Sequence, residues 1–294
     1  MKGDNQDKAA GSSKPDAHDL VRLSDAFHER EIKLNASNVS TLESVRDFII
    51  KAPHFATLND KRLLPSWIND LPLNAPQEET GLRLRTYFDN AALTAAGNNV
   101  EIRVEYRGDK SSDGWPYKQV IKIGSNESTP GHVLDRLEYP AKLKKATPDL
   151  SVIDGPAAKY LKRIFDVKDL RKVHLLPLIV IAGQRWRLLY HPDANRDVRV
   201  EVATDVGRGM TVGGHQWNLF QVEMEMKQGD AQVLALEESI LRHHFMGLTP
   251  ETRSKPTDGF EALKPLLAQK KVRKWLEKAP QDGVFRPLPD HLKP

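Results

Sequence analysis

A chain of 294 residues, 39% apolar and 29% charged, can build a substantial core and is too apolar for a disordered polyelectrolyte. It has no cysteine, which excludes disulfides, thiolate catalysis and cysteine-ligated zinc. A formal charge of +4, from 44 lysines and arginines against 40 acids, suits an anionic ligand and by itself makes no case for nucleic acid.

The stretch 1–25 is polar and rich in Gly, Ser, Lys and Asp, and is expected not to pack. Met1 to Ala26 lacks the apolar centre of a secretory signal, and no apolar run has bilayer length, so a cytoplasmic protein without membrane spans is expected. A single domain is expected over 26–263, opening with a strand at Phe27–Leu34 and a helix at Ser40–Ile50 that Ser and Thr could cap. Residues 53–80 are irregular and proline-containing, and read as an insertion. Strands are predicted at Leu82–Phe88, Val100–Arg107, Tyr117–Ile123 and Leu134–Leu143, then a helix at Ala157–Val167. A second run of strands is predicted at Leu178–Ile181, Arg185–His191, Val198–Asp205 and Asn218–Lys227, followed by a helix from an Asp230 cap to His244. The remainder, 264–294, reads as one basic amphipathic stretch (Leu266–Leu276) and a Pro-rich tail. Lys270, Lys271, Arg273 and Lys274 there read as a solvated helix face more than as a nucleic-acid patch.

The strands share one pattern: charged residues at every second position with large apolar residues between. Glu29, Glu31 and Lys33 show it, as do Lys118 and Lys122, Arg136 and Glu138, and Arg185 and Arg187. Glu201 and Asp205 continue it, and so do Glu223, Glu225 and Lys227. Period-two spacing puts each set on one strand face. Such a face can lie in water on an open sheet, or it can line a barrel whose apolar face is covered by helices. Alternation alone allows both.

Motif order adds a resemblance. Glu29-Arg30-Glu31-Ile32-Lys33 is similar to the ExExK signature that opens CYTH domains, the triphosphate tunnel metalloenzymes. Tyr87-Phe88-Asp89 resembles that family's YFDT strand end, Val100–Val104 its LRxR strand, and Arg136-Leu137-Glu138 its basic-x-acidic triplet. Arg185-Trp186-Arg187, Glu201 to Gly207, Val222 to Met226 and Ser254-Lys255 resemble the later strands and the closing element.

The resemblance implies an α+β fold: an eight-stranded antiparallel β-barrel, the triphosphate tunnel, with helices packed outside. It implies that Glu29, Glu31, Asp205, Glu223 and Glu225 hold Mg²⁺ or Mn²⁺, hard cations that take carboxylate oxygens. It further implies that Lys33, Arg103, Lys122, Arg136, Arg185, Arg187 and Lys255 grip a small-molecule triphosphate or polyphosphate, with Lys33 and Lys255 catalytic at the reacting end. The expected activity is hydrolysis of inorganic triphosphate or a simple organic triphosphate. The alternatives are a class IV-type adenylyl cyclase, or a tunnel that binds polyphosphate or nucleotide without turnover.

Two positions depart from the pattern. Glu101 stands where the family's strand has its first arginine, and Asp258 where the closing element has one. A carboxylate ~4 Å from a phosphate costs about 4 kcal/mol at an effective dielectric of ~20.

Overall fold

The computed structural model describes residues 28–51, 82–106, 115–124, 132–190 and 198–293. The polar stretch 1–25 and the insertion at 53–80 lie outside them.

Nine strands form one antiparallel sheet: β1 (His28–Ala36), β2 (Leu82–Asp89), β3 (Val100–Tyr106), β4 (Tyr117–Gly124), β5 (Leu134–Leu143), β6 (Leu176–Tyr190), β7 (Arg199–Thr211), β8 (Gln216–Gln228) and β9 (Leu248–Glu251). Their order is β5-β4-β3-β2-β6-β7-β8-β1-β9, and β5 also pairs with β1. That last pairing, Glu29 opposite Arg136 and Glu31 opposite Leu134, closes eight strands into a barrel. The far half of β1, from Lys33 to Ala36, pairs with the short β9 instead.

Closure explains the alternation. In β1 the apolar set (Ile32, Leu34) and the ionic set (Glu29, Glu31, Lys33) are both buried, at 0% and 2–5% exposure. An open sheet would leave the ionic set wet, so the charged face is the barrel's interior.

Outside, three apolar clusters fix the helices. Leu42, Val45 and Ile49 of α1 (Val39–Lys51) pack with Leu234 and Leu241 of α3 (Gln232–His244) over Ile32, Val202 and Met224. Tyr160 and Leu161 of α2 (Gly155–Ile164) cover Ile102, Ile121 and Leu137. Phe260, Leu263 and Leu266 of α4 (Thr257–Leu267) and Val272 and Leu276 of α5 (Lys270–Glu277) cover Leu178, Ile179 and Leu219, joined by Leu288 and Leu292. The segment after Leu263 therefore packs on the barrel. Among the described residues, no helix is long and apolar enough to cross a membrane.

Several elements differ from the sequence expectation. β6 is one 15-residue strand where two were predicted. The predicted strands left a gap at 182–184; Gly183 within it sits opposite Gly207, and a Cβ there would meet the Val206 carbonyl oxygen at 2.3 Å, so close backbone approach selects glycine without ending the strand. The strand β9 contains Pro250 and pairs at the sheet's edge, where a missing N–H is tolerated. The single basic stretch expected at Leu266–Leu276 is the end of α4 and all of α5, which part at Ala268 and Gln269. The cap of α1 is Asn38, whose Oδ1 accepts the Thr41 N–H at 2.9 Å. Asp230 Oδ1 accepts the Gln232 N–H at 2.9 Å at the start of α3.

Candidate functional site: a charged tunnel

The barrel interior is a cavity of about 260 Å³ in which eleven of twenty lining residues are lysine or arginine and seven are glutamate. Its deep part holds two ion clusters. In the first, Lys122 Nζ donates to Glu29 Oε2 at 2.6 Å and Arg136 Nη2 to the same oxygen at 3.1 Å. Arg136 also donates to Glu31, which holds Lys33 Nζ at 2.9 Å. In the second, Lys255 Nζ lies 2.7 Å from both Asp205 Oδ2 and Glu223 Oε1. Arg185 bridges the same two carboxylates at 2.9 and 2.7 Å, and Arg85 reaches Asp205 at 3.3 Å.

Register accounts for two of these meetings directly. Glu29 is opposite Arg136 on β5, and Arg185 opposite Asp205 on β7. Directly opposed residues have Cβ atoms about 4.5–5.5 Å apart, within reach for long ionic side chains.

The electrostatics follow from burial against pairing. Burial alone would raise Glu29 and Glu31; for Glu29, Lys122 and Arg136 overcome it, and for Glu31, Lys33 and Arg136 do, against the opposing Glu29 charge. Burial likewise opposes ionisation of Asp205 and Glu223, and Arg185 and Lys255 bring both below the ordinary range. Glu225 is different: burial and the Glu29 charge push it up to about 7. Burial also pulls the Lys255 ammonium down to about 8, although Asp205 and Glu223 hold it up.

Every residue expected at the site is in or beside this interior. Lys33, Lys122, Arg136, Arg185 and Lys255 join Glu29, Glu31, Asp205 and Glu223 in the deep clusters. Arg103 is bound by Glu101 at 3.0 Å. Arg187 and Glu225 lie nearer one mouth, with Arg187 3.5 Å from Glu201 and Glu225 2.6 Å from Lys227. The two departures separate. Glu101 does face the interior, 8% exposed. Asp258 does not: it is half-exposed in the first turn of α4 and accepts from Arg253 at 2.6 Å. That position therefore sets no carboxylate against a ligand in the tunnel.

Several ionic residues of the interior stood outside the expected site set, among them Arg83, Arg85, Glu105 and Glu138. Arg83 holds Glu105 at 3.1 Å, Arg85 lies 3.8 Å from it, and Glu138 lies 3.5 Å from Lys122. The signal was present, since Arg83, Arg85 and Tyr87 alternate on β2 as the other ionic sets do on theirs.

For a divalent cation, the donor chemistry and the register fit. Carboxylate oxygens are what Mg²⁺ and Mn²⁺ take. Glu31, Glu225 and Glu201 lie opposite one another on β1, β8 and β7, with Glu29 and Glu223 two residues along the same faces. Each carboxylate is instead turned to a lysine or arginine, and among the described residues no three His, Cys, Asp or Glu side chains form an ion-holding group.

A closed antiparallel barrel with ionic side chains inside and helices outside is the triphosphate-tunnel fold that the CYTH-like motifs implied. No protein-family model and no curated protein matches the chain. Among solved structures it is similar to a proposed adenylate cyclase from Bacillus halodurans (11% identity, TM-score 0.47, covering 80% of this chain and 99% of that one). It is also similar to a proposed adenylyl cyclase from Hippeastrum described as having a dominant triphosphatase activity (14%, 0.47, 80% and 96%). A third is a protein from Pyrococcus horikoshii OT3 (14%, 0.42, 80% and 99%). The fold itself rests on the chain's own strand pairing.

Proposed function

We propose that the tunnel binds a triphosphate and hydrolyses it with a divalent cation, Mg²⁺ or Mn²⁺. One observation supports this reading most. Arg85, Arg103 and Arg136 each keep a buried Nε–H without an acceptor among the described residues, and all three line the cavity. Buried guanidinium donors are costly when unmet, and phosphate oxygens are the acceptors whose geometry suits them.

On this reading Lys33, Lys122, Arg103, Arg136, Arg185 and Arg187 hold the phosphates in line and offset charge developing on the leaving group. Glu29, Glu31, Glu223 and Glu225 would hold the cation, with Asp205 beside them. When bound, the cation neutralises phosphate oxygens and acidifies a water. The water oxygen bonds to the terminal phosphorus as the bridging P–O bond breaks, giving orthophosphate, the diphosphate product and a proton. Lys255 Nζ, held 2.7 Å from both Asp205 and Glu223, would stand at the reacting end and offset charge there.

The test is phosphate release from tripolyphosphate with Mg²⁺ and with Mn²⁺. Release should stop on chelation, and Glu29→Ala or Glu223→Ala should lower it by about 100-fold or more. Unchanged turnover in both variants rejects the reading. Glu101 in the interior favours a second one, a tunnel that binds without turnover. Calorimetric binding of tripolyphosphate with no phosphate released, and no cyclic product from ATP, would establish that instead.

A further inference from the structure

Past Lys255 lies a separate cavity of about 230 Å³. Among the described residues Lys255 alone lines both it and the tunnel, and its Nζ is turned to Asp205 and Glu223 on the tunnel side. The space exists because β1 ends early. Its last pair with β8 is Asn35 opposite Gln221, so Trp217 to Phe220 keep β7 on one side and open onto the cavity along the other. Glu251, Arg253 and Asp258 close the far side.

Hydrogen bonding fixes what this cavity offers. Burial opposes ionisation of Glu251, but Arg253 and Asn35 hold it ionised, so it can only accept. Asn35 therefore turns its Nδ2 to Glu251 Oε2, at 2.7 Å, and presents Oδ1 to Gln221 Nε2 at 3.2 Å. The Gln221 amide is thus oriented from the carboxylate outward, and its Oε1 is left as a buried acceptor with no donor among the described residues. Gln221 is 2% exposed, so bulk water does not reach it freely. An unmet buried acceptor is costly and calls for a ligand that donates.

Charge narrows the kind of donor. Arg253 is shared between Glu251, at 3.2 Å, and Asp258, at 2.6 Å, which leaves one carboxylate charge in excess on this wall. The Lys255 charge is already met by two carboxylates on the tunnel side. An anion is disfavoured here. A divalent cation wants several oxygen ligands at once, and among the described residues no three His, Cys, Asp or Glu side chains converge. An ammonium group carries both the positive charge and the N–H donors. Trp217 and Leu219 give its alkyl part an apolar wall.

We propose that this cavity binds a small primary alkylammonium ion. Its N–H donates to Gln221 Oε1, its charge answers the excess carboxylate of Glu251 and Asp258, and its chain lies against Trp217 and Leu219. The site is separate from the tunnel and stands whatever the tunnel binds.

Calorimetry on the whole protein at neutral pH, with neither metal nor phosphate added, tests this with three probes. Butylammonium has charge, N–H donors and an alkyl chain, 1-butanol lacks the charge, and tetramethylammonium lacks the donors. Butylammonium should bind about ten-fold or more tighter than either. Gln221→Leu should weaken it about ten-fold, and Asp258→Asn, at a half-exposed position outside the tunnel, a few-fold. The proposal is overturned if butylammonium does not bind, or if 1-butanol or tetramethylammonium binds as well. It is overturned equally if both variants bind butylammonium as the wild type does, because the ion then sits elsewhere. Should Gln221→Leu fail to fold, Asp258→Asn decides alone, and unchanged affinity in it overturns the assignment.

Discussion

The two ends of the tunnel are built from the same alternation on the same strands, yet their charges live differently. At the deep end the side chains of Lys33, Glu31, Arg136, Lys255, Asp205 and Glu223 are 3–7% exposed and meet partners mostly at 2.7–3.1 Å. At the other end Lys118, Arg187 and Lys227 are 30–33% exposed; their contacts with Glu138 and Glu201 are 3.5–4.0 Å, and only Lys227 also has a short one, 2.6 Å to Glu225. Water stabilises a charge at the outer mouth whether or not a partner is near. Inside, a charge without a partner or a ligand has nothing. On the proposed reading, the contrast would put the demanding recognition at the deep end and leave the outer end to attract ligand.

The largest expected effect tests that contrast directly. Lys255→Ala leaves Asp205 and Glu223 buried beside one another with one cation fewer, and breaking a buried pair this way costs about 3–5 kcal/mol. Lys118→Ala, where Glu138 lies at 4.0 Å and water can replace the lost partner, should cost less than about 1 kcal/mol. Denaturant unfolding of the two variants checks it, and equal losses would break the comparison. Phosphate release should fall by about 1,000-fold or more in Lys255→Ala if the lysine contacts the reacting phosphate.

Much of this arrangement was legible in the sequence. Glu29, Glu31 and Lys33 announced an ionic face, and period two is strict enough that one set of odd positions maps onto one wall of the barrel. What the alternation could not say is whether the face was wet, because an open sheet and a closed one share the pattern. The β1–β5 pairing decides that, and it is a long-range contact with no local signature. The strand β6 was split because its alternation lapses at 182–184, where Gly183 instead serves close approach to the neighbouring strand. Asp258 misled because a motif slot was equated with a direction; the start of α4 turns its side chain outward, to Arg253. Arg83 was overlooked although it obeys the same spacing.

A smaller effect separates two kinds of buried carboxylate. In the tunnel, Glu29, Glu31, Asp205 and Glu223 are lowered by facing cations, so their contribution is present above the unfolded pKa and is lost as pH falls through the lowered folded value. Asp89 has no such cation. Burial raises it to about 6, against three backbone N–H donors from Ala96, Ala95 and Asn90 that pull it down. Its sign is opposite. The cost of its buried charge is full above about pH 6 and disappears as pH falls toward the unfolded value. Relative to Asp89→Asn, the wild type should therefore gain up to about 3 kcal/mol between pH 7 and pH 4. Melting temperatures of both proteins across that range supply the difference, and parallel curves would show that the N–H donors win.

The smallest effect belongs to the outer mouth. If Lys118 and Lys227 only attract ligand, Lys118→Ala should lower kcat/KM a few-fold at low salt and hardly change kcat. The deficit should vanish as salt rises, because screening shortens from ~10 Å at 0.1 M to ~3 Å at 1 M. The deficit of Lys255→Ala should persist at the same salt, since its field acts where ions do not penetrate. A Lys118→Ala deficit that survived high salt would mean that the outer lysine also touches the bound phosphates, and the division between the two ends would have to be drawn further out.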